Sequence, residues 1–226
     1  MPSRLSILVV GAHPDDAEIQ AGGIALLYAG AGHRVTFLSL TNGDAGHHEQ
    51  RGAVLAARRA REAELAAESG GIESIVLDIH DGELEPDLEN RRGLIALIRT
   101  IRPDLLITHR PYDYHPDHRY TGVLVQDASF LATVQNICPE APAVDVAPVV
   151  MYMSDHFTKP LPFQPSIAVG IDSVISRKMD MLHCHESQVY EFLPFSGGYL
   201  HEVPEKIEDR RNWLESRWAP ESFAEP

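Results

Sequence analysis

The 226-residue chain is short of cysteine, of cationic residues and of long apolar runs, and each shortage closes off a class of protein. Its two cysteines, Cys138 and Cys184, are too few and too far apart for a disulfide framework or a structural zinc site built on thiolates. They are expected to be free thiols. Lysine and arginine number 19 against 33 aspartates and glutamates, a net charge of −14 with histidine neutral. That balance disfavours nucleic acid and anionic membrane surfaces as partners. No stretch approaches the roughly 20 apolar residues that span a bilayer, and MPSRLSILVVGAH holds too short an apolar segment for a secretory leader. A cytoplasmic location is the expectation. No G-x-G-x-x-G follows the first apolar run. Two carboxylates stand there instead, and they would repel the pyrophosphate of a dinucleotide.

What is present is an alternation of strand-like and helix-like segments. LSILVV, HRVTFLSLT, ESIVLDI and PDLLITH read as buried strands. Between them lie helical patterns from about Ala17 to Ala31, over AVLAARRAREAELAAES, and over NRRGLIALIRTIR. A fourth helix is expected from Tyr120 to about Thr133. Further along, APVVMYMS and SIAVGID are candidate strands and SVISRKMDMLHCH a helix. Such alternation implies βαβ units. The expected fold is a single α/β, Rossmann-like domain over residues 1–200, with a mostly parallel sheet covered by helices on both faces. A charged extension, 201–226, carries Trp213 and Trp218 to dock it, and its final APESFAEP is expected to fray.

In such sheets the functional crevice lies beyond the carboxyl ends of the strands. HPDD (13–16) follows the first strand, and HRPYDYHPDH (109–118) follows the fourth. Each puts chemically versatile residues three apart around a Pro-Asp step, a spacing that brings them to one side of a helical turn. Capping of the following helix is the plainer reading for either aspartate of HPDD taken alone. Two such clusters on one sheet edge, offering His, Asp and His, fit a divalent metal site with an open coordination position, the pattern of catalytic zinc.

AHPDDAE together with PYDYHPDHR resembles the PIG-L/LmbE-like family of zinc-dependent N-deacetylases, which remove acetyl groups from N-acetylglucosaminyl conjugates. TNGDAG, DGEL at 81–84 and KMDMLHCHESQ at 178–188 extend the likeness over about residues 5–190. The resemblance implies His13, Asp16 and His118 as ligands of one zinc ion, with iron(II) as the alternative metal. It implies Asp15 as general base and His115 facing the reacting carbonyl, with Asp117 oriented against His115. It also implies a small acetylated amino sugar as substrate, and a homo-oligomer, trimer or hexamer. The chemistry agrees with those roles. A metal held by two neutral histidines and a carboxylate keeps positive charge, acidifies water and polarises a carbonyl. An unbound aspartate beside a ligand can take the proton, and a protonated His115 held by Asp117 can face the oxyanion.

Four further residues are candidates for substrate contact. Arg51 and Asp44 sit in the loop after the second strand, against the readings of a solvated arginine and a turn former. Arg110, with Asp113, either pairs within the strand-end loop or lines the cleft. His185 is placed at the pocket by the resemblance, whereas a second metal site at His183 and His185 is disfavoured, since residues two apart on a helix face apart. His47 and His48 read as a solvated loop. Three other readings stay open from ligand types: a non-haem iron(II) oxygenase, a metallophosphoesterase, and a non-catalytic binding module.

Overall fold

A computed structural model describes residues 4–219. Among these, five strands form one all-parallel sheet: β1 (Ser6–Gly11), β2 (Arg34–Thr41), β3 (Glu73–Ile79), β4 (Leu105–Thr108) and β5 (Val149–Tyr152). Their order is β3-β2-β1-β4-β5, so the sheet winds outward in both directions from β1. β1 is apolar at every central position because it is buried on both faces, as a middle parallel strand must be. Its side chains alternate between two cores. Ile7 and Val9 pack with Ala21, Ala25, Phe37 and Met181 on one side, and Leu8 and Val10 with Ile95, Ile98, Leu124 and Ala128 on the other. Fully burying each of these four contributes about 1.5–3 kcal/mol.

The covering helices are α1 (Asp16–Gly30), α2 (Gly52–Gly70), α3 (Leu88–Ile101), α4 (Pro116–Leu131) and α5 (Ile175–His183). A π-helical turn (Ser187–Phe192) leads into the short α6 (Leu193–Ser196), and α7 (Ile207–Trp218) closes the described chain. In α7, Leu214 joins a third core with Met179, Leu182 and Tyr190, and Trp213 and Trp218 pack against it. Arg211 of α7 also bonds Asp180 of α5 at 2.7 Å. Of APESFAEP, all but Ala219 lies outside the described residues. Among the described residues, no helix is long and apolar enough to cross a membrane.

Two sequence expectations need correction. SIAVGID is not a strand: Ile167 and Val169 are exposed, and Ile171 instead packs over Gly23, whose added Cβ would lie 2.7 Å from it. Pro160, Pro162 and Pro165 precede it, and proline lacks the N–H that a sheet ladder needs. Helix α4 starts at Pro116, inside the second motif, because Pro116 suits the first helical position and the His115 side chain accepts the Asp117 N–H at 3.2 Å.

Helix α4 presses closely on the loop it must position. A Cβ at Gly122 would stand 2.6 Å from the His109 carbonyl oxygen, whereas one at Gly93 of α3 meets nothing within 4 Å. Gly122→Ala is therefore expected to lower stability by about 1–3 kcal/mol in urea unfolding. Gly93→Ala is expected to hold or raise it by up to about 1 kcal/mol. Equal effects from the two would refute the close approach.

Candidate metal centre

Val10 of β1 pairs with Thr108 of β4, so the two motifs leave the sheet side by side where the strand order reverses. There the structure brings His13, Asp16 and His118 together. His118 Nε2 lies 3.3 Å from His13 Nδ1 and 3.4 Å from Asp16 Oδ1, and His13 Nδ1 lies 3.4 Å from Asp16 Oδ2. Tetrahedral bonds of about 2.0–2.1 Å to zinc place neighbouring donors about 3.3–3.4 Å apart. Two imidazole nitrogens and the Asp16 carboxylate, which meets His118 through Oδ1 and His13 through Oδ2, are thus close enough to share one divalent ion. Related triplets that include His109, His115, Asp81 or Asp117 have donor atoms within 4.8 Å of one another.

Each donor is held from behind. Asp16 Oδ2 accepts the backbone N–H groups of Ala12 and His13 at 2.9 and 2.8 Å, and His109 Nε2 lies 3.2 Å away. His13 turns Nε2 toward Asp81 Oδ1 at 3.1 Å and Asp117 Oδ2 at 3.3 Å. His118 turns Nδ1 toward Asp113 at 3.1 Å. Carboxylates on the far nitrogens fix ring orientation and leave Nδ1 of His13 and Nε2 of His118 facing inward. Burial alone would push Asp16 up, but His118, His109 and His13 outweigh it and hold the carboxyl well below its ordinary range. For His13, burial is likewise outweighed by Asp117, Asp16 and Asp81, which raise the imidazole well above its usual value. The same anionic field attracts any cation, a metal ion included.

Asp15 behaves differently from its neighbour. Neither aspartate caps α1: Asp15 makes no side-chain cap bond, and Asp16 bonds the residues before the helix. Asp15 Oδ1 instead lies 3.0 Å from Arg59 Nη2, both side chains buried. Burial pushes the Asp15 carboxyl up, against the pull of Arg59 and with the help of Asp16.

His115 borders the cluster, its ring edge-on to His13 at 4.6 Å. The expected pairing of Asp117 with His115 is corrected. The Asp117 carboxylate accepts from Gly82 N–H at 2.7 Å and faces His13, and only its backbone N–H reaches His115 Nδ1. Asp117 stands in the first turn of α4, which aims its side chain at the loop after β3. The Asp117 N–H donates to His115 Nδ1, which places the ring proton on Nε2; burial, with His13 and His118 nearby, lowers the His115 pKa.

The substrate candidates scatter. Arg110 pairs with Asp155 at 2.5 and 2.6 Å and bonds the Phe157 and Leu161 carbonyls, so it neither meets Asp113 nor lines the cleft. His185 is fully buried with Nε2 3.3 Å from Glu18, beneath the site and not in its wall. Asp44 is a buried strut, bonded to His80 Nδ1 at 2.6 Å and to the Asp81 N–H at 3.1 Å. Arg51 is exposed and lines a cavity of about 570 Å³ beside the centre. His47 is not solvated: its buried ring bonds Glu191 at 2.8 Å.

Sequence reading missed Asp81, His109 and Arg59. Asp81 opens DGEL and His109 begins the second motif, so both lay within quoted stretches. Arg59 falls four residues from Leu55 and four from Ala63 on the buried face of α2, and an arginine on an apolar face was the available clue.

Fold and centre together define a class, and comparison with known proteins identifies it. The family model described as PIG-L: GlcNAc-PI de-N-acetylase matches residues 8–129, and the chain belongs to that family. It is similar to the diacetylchitobiose deacetylase of Thermococcus kodakarensis, 31% identical over 195 residues, which span 82% of this chain and 70% of the relative. It is similar also to the probable N-acetyl-alpha-D-glucosaminyl L-malate deacetylase 2 of Bacillus cereus, 29% identical over 83% of this chain and 85% of the relative. Among solved structures, a 4-carboxy-2-hydroxymuconate hydratase from Pseudomonas putida superposes with a TM-score of 0.74 at 25% identity, over 98% of this chain and 92% of that one.

The carboxylates behind the histidines set the expected response to mutation. Calorimetric titration of the apo chain with zinc should give one ion per chain, and Asp113→Asn should weaken it about 10–100-fold. His118→Ala should abolish it. Unchanged affinity in His118→Ala would remove that histidine from the centre.

Proposed function

We propose that the chain hydrolyses the N-acetyl amide of a small amino sugar conjugate, releasing acetate and a free amine. One observation carries the reading: Asp15, adjacent in sequence to the donor Asp16 and on the same sheet edge, pairs with Arg59 and is left outside the cluster of donor contacts. A carboxylate that the metal does not occupy is what a hydrolase needs for proton transfer. His13, Asp16 and His118 would hold the ion, and two imidazoles with one carboxylate are donors that suit zinc. When bound, the ion supplies Lewis acidity, lowering the pKa of water and polarising a carbonyl oxygen.

The protein groups carry the remaining steps. Asp15 takes a proton from the attacking water, and its raised pKa suits it to hold that proton and return it to the departing amine. Arg59 fixes the carboxylate through both events. His115, neutral with its proton on Nε2, donates a hydrogen bond to the developing oxyanion. Asp81 and Asp117 act through His13, and Asp113 through His118, by holding the rings.

The test is acetate release from N-acetylglucosamine and its conjugates under anaerobic conditions with zinc-loaded protein. Asp15→Asn should lower kcat about 10²–10⁴-fold while zinc stays bound. Chelation should abolish acetate release and zinc should restore it. A requirement for oxygen would favour the iron oxygenase. No acetate from any conjugate with the metal bound would sink the reading, and the likeness to a hydratase makes water addition to an unsaturated tricarboxylic acid the next assay.

A further inference from the structure

On the face of the sheet covered by α3 and α4, α3 and the segment after α4 border a second cavity, of about 450 Å³. Leu88, Arg91, Arg92 and Ile95 of α3 line it, with Leu131 and Ile137 among the residues opposite. No residue of its lining belongs to the donor cluster or to the cavity beside that cluster. Leu131 is the last residue of α4, whereas His118 stands in the first turn. At 1.5 Å per residue the two are about 20 Å apart along the helix. Sites for small molecules measure about 300–1,000 Å³, so the volume suits one.

The wall after α4 is held by one side chain. Arg99, one turn beyond Ile95 and buried, gives all five of its N–H donors to backbone carbonyls. Nε meets Ala132 at 3.0 Å, Nη1 meets Cys138 and Ala141 at 2.6 and 2.8 Å, and Nη2 meets Leu131 and Val134 at 3.3 and 2.8 Å. No carboxylate pairs with it among the described residues. Cys138, buried in the same segment, stands at φ +48°, in the left-handed region that a residue with a Cβ rarely adopts. A buried cation without a counter-ion and a left-handed residue both cost free energy. The Val144 N–H closes the segment on the Ala132 carbonyl at 3.1 Å. The chain thus follows one defined path around Arg99, and the cavity wall is fixed with it.

The lining joins apolar surface to unmet positive charge. Leu88, Ile95, Leu131 and Ile137 are aliphatic, and Arg91 and Arg92 stand among them. Arg91 Nε is buried without a hydrogen-bond partner and comes no nearer than 3.5 Å to Asp127 Oδ2. A buried donor left unmade is costly, so this one calls for an acceptor. The exposed Arg92 side chain has no hydrogen bond or ion pair among the described residues. Against these two cations the lining sets one carboxylate, Glu140, which reverses the balance of a chain whose net charge is −14. An amine would be repelled there, and a guanidinium fork matches a carboxylate closely. We propose that this cavity binds a small carboxylic acid with an apolar body, its carboxylate on Arg91 and Arg92 and its body against Leu131 and Ile137. The site is separate from the metal centre and does not rest on the deacetylase reading.

Calorimetry with 2-naphthoate, and with 2-naphthamide as its neutral counterpart, tests the site on the zinc-loaded protein and on His118→Ala. One naphthoate should bind per chain, about tenfold or more tighter than the amide, and equally well to His118→Ala. Arg91→Ala and Arg92→Ala should each weaken naphthoate about tenfold, the weight of one charge-assisted hydrogen bond, with an unchanged far-UV spectrum as the check on folding. Amide resonances of residues 88–95 and 131–140 should shift on titration. Should Arg91→Ala fail to fold, the exposed Arg92 carries the test alone. Absence of naphthoate binding, equal affinity for acid and amide, or indifference to the arginine substitutions overturns the proposal. Binding that is lost in His118→Ala overturns it too, because the acid would then be sitting on the metal.

Discussion

The structure depends on one buried carboxylate. Asp16 sits at the end of the central strand, where removal from water costs a carboxylate several kcal/mol unless it is compensated. Two backbone N–H groups, from Ala12 and His13, meet Oδ2 and bend the chain sharply as β1 ends. His109 and His118, both delivered from the end of β4, supply the opposing positive field. The turn leaves no room for a side chain at Gly11, whose Cβ would lie 2.8 Å from that of Asp16. One residue thus closes the strand, joins it to its neighbour and presents Oδ1 to His118.

Around that anchor the charges are arranged so that two adjacent aspartates part company. Asp16 faces histidines and stays ionised; Asp15 faces a single arginine in a buried setting and is pushed the other way. A pair of carboxylates with opposed shifts is how one site divides holding a cation from moving a proton. Further out, Asp81, Asp113 and Asp117 each face an imidazole. The histidines are consequently oriented by acids rather than by packing alone, and the cluster forms a well of negative potential suited to a divalent ion.

Much of this was legible in the sequence, for identifiable reasons. β1 to β4 announced themselves because buried parallel strands are apolar throughout, and the paired motifs stood out because each follows such a run. The apolar SIAVGID misled for the same reason: β-branched residues also serve where a chain packs across a helix, as Ile171 does over Gly23. The partner of Asp117 was illegible because it depends on where α4 begins, and Pro116 starts that helix four residues earlier than the apolar pattern suggests. Arg59 was hidden in an arginine-rich helix, where only its place on the buried face separates it from Arg58 and Arg61.

The fold, similar to those of deacetylases and of a hydratase, has parts set by core packing and parts set by polar contacts. The donors, with Asp113 and Asp117, hang from the ends of β1 and β4 and from the first turns of α1 and α4, elements fixed by the two main cores, whereas Asp81 comes from the loop after β3. The part built on those elements holds the cation-attracting cluster, the Asp15 carboxylate and the His115 imidazole in fixed positions. The loop after β3 sends Leu84 into one core, but both it and the loop after β2 are also tied by polar contacts. Their positions relative to the centre rest on the Asp44 strut and on the contacts of Gly46 and His47 with the π-helical turn. Loops can change sequence without disturbing the sheet. In this chain the strut is itself bonded to Asp81, which faces His13, so the two loops and the group that orients that histidine are one connected piece.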